Sequence, residues 1–96
     1  MEEILQPTDH ISGFDIRPGY YLMNGATQVR GGVNFTIHSF YATSVTLLLF
    51  KRQQQEPYAQ IPFPQQYKIG NTYSMIVFGL DITEFEYAYS IDGPYD

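Results

Sequence analysis

Between Gly32 and Ser39 the chain reads Val33-Asn34-Phe35-Thr36-Ile37-His38, with apolar and polar side chains in strict alternation. Successive side chains of a β-strand point to opposite faces, so a period of two marks a strand with one buried face and one wet one. The same residues on a helix would be scattered around its circumference. A strand is predicted over 32–39. Composition extends the argument to the whole chain, because Val, Ile, Thr, Tyr and Phe supply 36 of 96 residues while Ala and Leu supply only ten. β-branched and aromatic side chains fit a pleated surface and lose rotamer freedom in a helix. Ninety-six residues make one domain, so 1–96 is read as a single all-β unit.

Further strands follow from turn chemistry. Val45–Phe50 is apolar on both faces apart from Thr46, which predicts a central strand over 44–50 covered on each side. The polar run Lys51–Glu56, ended by Pro57, reads as a loop. Tyr58–Phe63 reads as a short strand closed by Pro64, since proline cannot donate to a ladder and belongs at edges and ends. Gly70-Asn71 signals a turn before a strand at Tyr73–Phe78, and residues 79–84 read as another turn. Phe85–Ile91 is the last strand, with Phe85, Tyr87, Tyr89 and Ile91 on an aromatic inner face. Residues 1–19, broken by Pro7, Gly13, Pro18 and Gly19, read as a lead-in with at most one irregular edge strand. Five strands with turn signals every 8 to 15 residues describe an immunoglobulin-like antiparallel β-sandwich.

Charge and cysteine usage exclude several functions. Ten acids against five bases give a net charge of -5, the wrong sign for displacing counterions from a phosphate backbone, so nucleic-acid binding is not expected. There is no cysteine for a disulfide, a thiolate nucleophile or a Cys-ligated metal, and no cofactor or metal is expected. No purely apolar stretch is longer than four residues, as at Leu47–Phe50, far below the roughly 20 residues of a membrane span. Met1–Gln6 carries acids where a signal peptide carries bases. The expectation is a soluble, cytoplasmic protein.

No catalytic constellation emerges. Glu84 and Glu86 share one face of the last strand, the closest pair to the two carboxylates of a glycosidase, but that face is polar and reads as solvated. His10 and His38, the only histidines, fall in the lead-in and on the polar side of a strand, too far apart in the pattern to form a metal pair. Ser39, Ser44, Ser74 and Ser90 lack a nucleophile-elbow context. Gly31-Gly32 precedes neither a helix nor a lysine, so it reads as the turn into a strand and not a phosphate cradle. Asn34-Phe35-Thr36 matches the glycosylation sequon without a secretion signal, and is read as a chance match. What remains is an aromatic surplus of nine Tyr and seven Phe. Tyr20, Tyr21, Tyr58, Tyr67, Tyr73 and Tyr95 sit in or beside turns, where a ring stacks on a sugar's C–H face or packs in a protein interface.

Three blocks carry a resemblance. Gly31–Ser39, Ala42–Phe50 and Tyr87-Ala88-Tyr89-Ser90-Ile91-Asp92-Gly93-Pro94-Tyr95-Asp96, with Gly25-Ala26 as a weaker fourth element, closely resemble the N-terminal domain of isoamylase-type and glycogen-debranching enzymes, carbohydrate-binding module family 48. The resemblance implies an early-set β-sandwich that precedes an α-amylase-type catalytic barrel in the same polypeptide. It also implies a parent that hydrolyses α-1,6 branch points of glycogen or starch with an Asp nucleophile and a Glu acid/base, both in the barrel. On this reading the chain is the N-terminal module of a larger enzyme, non-catalytic itself, with Gly93, Pro94 and Tyr95 at the interdomain contact.

Departures from the family pattern affect ligand binding. Debranching enzymes show Trp-His where this chain has Tyr73-Ser74, and an Arg where it has Ser90. Glycogen-binding relatives carry a Lys and a Trp at the positions of Ala88 and Tyr95, so a donor is lost and the ring is smaller here. Two further readings stay open. The chain is an independent glycogen- or maltooligosaccharide-binding module with Tyr95 and Tyr73 as platforms, or a stand-alone immunoglobulin-like interaction domain.

Overall fold

A computed structural model describes residues 5–93. Nine strands fill it: β1 (Asp9–Ile11), β2 (Phe14–Pro18), β3 (Gly25–Val29), β4 (Gly32–His38), β5 (Ser44–Lys51), β6 (Ala59–Pro62), β7 (Lys68–Ile69), β8 (Thr72–Phe78) and β9 (Phe85–Asp92), with one 3₁₀ turn at Gln65–Tyr67 among the described residues. One sheet runs β1-β2-β8-β4-β3, with β7 also pairing to β8, and the other runs β6-β5-β9. All pairings are antiparallel. This is the sandwich expected from the sequence.

Alternation places the core. Val33 and Phe35 of β4, Tyr73, Met75 and Val77 of β8, and Ile16 of β2 face inward from the larger sheet. Val45, Leu47 and Leu49 of β5, Ile61 of β6 and Phe63 meet them from the smaller one. A tilted and T-shaped aromatic chain continues the core, with Phe35 against Phe85 at 6.0 Å and Tyr87 at 5.5 Å, Tyr87 against Tyr89 at 5.6 Å, and Phe63 against Tyr73 at 6.0 Å. Such ring pairs add roughly 0.5–1.5 kcal/mol beyond the area they bury.

Several elements differ from the sequence expectation. The lead-in holds two strands and not one, because Ser12 and Gly13 both adopt positive φ (55° and 87°) and close a two-residue hairpin that pairs Ile11 with Phe14. β3 is a further strand that the pattern did not mark, its alternation diluted by Gly25, Thr27 and Gln28. β5 is central in its sheet but covered on one side only. Val45, Leu47 and Leu49 are buried, while Thr46, Leu48 and Phe50 are half-buried on the outer face. β9 carries its aromatics inward as expected, yet only Phe85 is buried, since β9 is an edge strand. Pro62 sits on the other edge strand, β6, where its missing N–H costs no ladder bond.

The centre of the larger sheet is buried on both faces. Its outer side is polar, and the segment 19–24 lies across it. The Tyr20 N–H donates to Asn34 Oδ1 (2.7 Å), and Asn34 Nδ2 donates to Met23 O (3.3 Å) and Thr36 Oγ1 (3.1 Å). Thr36 Oγ1 spends its one proton on Tyr20 O (2.9 Å), so Ser74 is the donor of the 2.7 Å bond between the two hydroxyls. Asn34 and Ser74 have no exposed surface. The Asn34-Phe35-Thr36 match is therefore a structural clamp whose amide is out of reach of a glycan.

Candidate functional site

Strand direction gives the sandwich two unlike ends. β4 and β9 finish at one end, where β3, β5 and β8 begin; the 52–58 loop and the 79–84 turn lie at the other. At the first end five large apolar or aromatic residues are exposed: Leu22 is 97% exposed, Phe40 81%, Tyr41 73%, Ile69 61% and Ile91 48%. Hydrogen bonds assemble the loops that carry them. His38 Nε2 bonds Asn24 Oδ1 and His38 Nδ1 bonds Thr72 Oγ1, tying the Leu22 turn and β8 to the end of β4. The Ser39 N–H donates to Asn71 O (2.8 Å) and the Thr43 N–H to Asp92 O (2.7 Å), which draws the Phe40-Tyr41 loop against the end of β9. Exposed apolar side chains at one end of a small domain make that end a candidate interaction surface.

Gly93, assigned from the sequence to the interdomain contact, follows β9 beside the Phe40-Tyr41 loop. A Cβ there would stand 2.6 Å from the Tyr41 carbonyl oxygen, so the absence of a side chain lets β9 leave the sheet beside that loop. Pro94 and Tyr95, the other residues assigned to the interdomain contact, lie outside the described residues, and with Tyr95 goes one of the two sugar platforms. The second platform, Tyr73, is corrected by the structure. Its ring is buried, packed edge-on to Phe63, and its hydroxyl donates to Ala42 O (3.1 Å), so no face is open to a ligand. Tyr67 is likewise buried. Beside-a-turn position was the reason to expect both at the surface, but odd parity on β8 aims Tyr73 inward with Met75 and Val77.

At the other end the smaller sheet presents an aromatic and polar groove. Pairing of β5 with β9 sets Phe50 opposite Glu86 and Leu48 opposite Ala88, so these four share the outer face. Where that face meets the 52–58 loop, a groove of about 670 Å³ opens, lined by Phe50, Gln54, Gln55, Phe85, Glu86 and Tyr87. Tyr87 leaves 40% of its surface exposed. Rings supply C–H contact, while two amides and a carboxylate supply directional bonds to hydroxyl groups, a composition suited to a polyhydroxylated ligand. Nothing in the local sequence singled out Gln54 or Gln55, which read only as loop residues. Ala88, the position of the relatives' lysine, is exposed on the same outer face, next to Glu86.

Glu84 and Glu86 are both exposed, as expected of solvated acids. Among the described residues no three His, Asp or Glu side chains gather as a metal site, and no helix is long and apolar enough to cross a membrane. The Tyr89 hydroxyl is buried with no hydrogen-bond partner among the described residues, and burial pushes its pKa up, with the neighbouring Tyr87 adding to the effect.

No curated protein sequence matches the chain. The family model described as carbohydrate-binding module 48 (isoamylase N-terminal domain) matches residues 23–96, which takes in β3 to β9 and leaves the β1–β2 hairpin outside the match.

Proposed function

The chain belongs to the carbohydrate-binding module 48 family, and from that premise we propose that it is the non-catalytic accessory domain of a glycogen- or starch-debranching enzyme. It packs through its apolar end on an α-amylase-type barrel of the same polypeptide and helps shape the approach of a branched α-glucan. The observation that carries this reading is the gathering of Leu22, Phe40, Tyr41, Ile69 and Ile91 at the end where β9 finishes. A chain that continues past β9 emerges among these side chains, so a following domain meets them first. The cover they need is then supplied from within the polypeptide, at the more modest area typical of interdomain contacts.

The reading frame downstream of residue 96 tests this first. A barrel bearing an Asp nucleophile and a Glu acid/base is the expected result, and a frame without one overturns the reading. Where the barrel is present, removing the module is expected to lower both thermal stability and turnover of branched substrate. Unchanged values in both would leave no accessory role.

A second reading, glucan binding by the module itself, is favoured by the groove at Phe50, Gln54, Gln55, Glu86 and Tyr87. Its ligand is an α-glucan such as glycogen, starch or a maltooligosaccharide. Ala88, where the relatives carry a lysine, leaves the neighbouring outer face without that donor, and the expected affinity is millimolar or better, about 4 kcal/mol at 1 mM. Titration of the free chain with maltoheptaose, followed by amide shifts, refutes this reading if the residues of that groove stay silent.

A further inference from the structure

The grooved end holds a second concavity on the other side of the 52–58 loop, and its construction is different. Arg52 Nη1 donates to Thr83 O (2.6 Å), bolting that loop to the 79–84 turn. Within the turn, Asp81 Oδ1 accepts from the Thr83 N–H (2.9 Å) and from Thr83 Oγ1 (2.7 Å), and the Glu84 N–H donates to Asp81 O (2.9 Å). The loop is held in its turn by the Gln54 N–H on Lys51 O (3.0 Å) and the Tyr58 N–H on Leu49 O (2.8 Å). Both walls are therefore set by hydrogen bonds before any ligand arrives, and preorganisation of this kind removes part of the ordering cost of binding.

Between the walls lies a groove of about 610 Å³, of which Tyr58, Lys51, Arg52, Asp81 and Glu84 carry the chemistry. The Tyr58 ring is 45% exposed. Two cations and two carboxylates balance to zero charge in a chain whose net charge is -5. A balanced set neither attracts an anion nor a cation, but each member is a strong partner for a hydroxyl: Lys51 and Arg52 donate, Asp81 and Glu84 accept. An open ring beside such a set matches a neutral polyhydroxylated ligand, with its C–H face on the ring and its hydroxyls shared among the charges. The volume falls inside the roughly 300–1,000 Å³ of small-ligand sites.

We propose that this groove is a second saccharide subsite for a neutral α-glucan, distinct from the Phe50–Gln54 groove and separated from it by the 52–58 loop. The choice of an α-glucan rests on the family-based reading above; the subsite itself rests on the groove. Both grooves include Phe85, so two neighbouring chains of a branched glucan seated in them straddle one loop. Binding two chains at once raises the affinity for a branched ligand over a linear one of equal length.

The test is an amide-shift titration of the 96-residue chain with maltoheptaose and, separately, with a branched maltodextrin of the same size. Expected are shifts at Arg52, Tyr58 and Glu84 as well as at Gln54 and Tyr87, with tighter binding of the branched ligand. Tyr58→Ala is expected to raise the Kd read from the shifts at Arg52 and Glu84 by about fivefold, the low end of the cost of losing a ring that stacks on a nucleobase, while the response at Gln54 and Tyr87 persists. Glu84→Gln, a change at an exposed position that keeps the side-chain shape, gives the same answer without touching a ring. Silence at Arg52, Tyr58 and Glu84 while the other groove responds, silence at both, or equal curves for Tyr58→Ala and the parent chain overturns the proposal. None of these outcomes bears on packing against a barrel, which is read from stability and turnover of the longer polypeptide.

Discussion

Asn34 shows how one side chain holds two layers together. Its amide bonds three partners on the outer side of the larger sheet, with Thr36 and Ser74 completing the set. Asn34→Ala strands the Tyr20 N–H and the Met23 carbonyl oxygen, and each buried polar group left unsatisfied costs roughly 1–3 kcal/mol. Thermal or urea unfolding of the variant is expected to show a loss of that order. Tyr67 is the second such residue. Its buried hydroxyl donates to Asp9 and lies 3.0 Å from Thr8 Oγ1, which pins the N-terminal segment. Burial first, and then the Asp9 carboxylate, push its pKa up to about 12 from an ordinary 10.0. The neutral phenol is favoured by folding, so its contribution is complete below pH 10 and is lost as pH rises through 12. Urea midpoints between pH 9 and 12 are expected to fall more steeply for the parent chain than for Tyr67→Phe. Neither residue announced itself in the sequence: Asn34 read as the polar half of a strand, and Tyr67 as a surface ring.

At the level of the elements, the β3–β4 hairpin sets the register of the larger sheet. Arg30 and Gly31 form its two-residue loop, with Val29 opposite Gly32. Gly32 begins the strand that alternation marks most clearly, and it is pressed against β8: a Cβ there would stand 2.2 Å from the Val77 carbonyl oxygen and 2.8 Å from Phe78 Cα. Both are backbone atoms that cannot rotate away. Gly32→Ala is expected to force β4 from β8 and to cost at least the 1–3 kcal/mol typical of overpacking, read as a lowered melting temperature. The elements legible beforehand, β4, β5, β6, β8 and β9, are those with runs of large side chains in a clear period. The lead-in pattern marks at most one irregular strand where β1 and β2 form, because Gly13 reads as a breaker and in fact closes a hairpin; β3 and the two-residue β7 carry no mark, β3 because it offers only Ala26 and Val29 as apolar markers.

For the molecule as a whole, the two-ended distribution of side chains has a direct consequence. Leu22 and Phe40 contribute little to the isolated chain, because surface substitutions are usually worth within about 0.5 kcal/mol. The double variant Leu22→Ser/Phe40→Ser is expected to melt within a few degrees of the parent chain when studied alone. On the proposed reading, the same variant lowers stability and slows turnover of branched glucan in a polypeptide that carries the barrel, because the contact proposed for those side chains is lost. Equal behaviour in both settings would mean that another face makes the contact. The sequence by itself determined the all-β class, the sandwich and the family, because alternation, turn residues and motif blocks are local and are written consecutively along the chain. Only the tertiary structure decided which aromatic rings stay open and which charges meet in a groove. Exposure depends on the layer that packs opposite, as it does for Tyr73 beneath Phe63, and Arg52 reaches Thr83 across 31 residues of chain that only the sheet pairing closes.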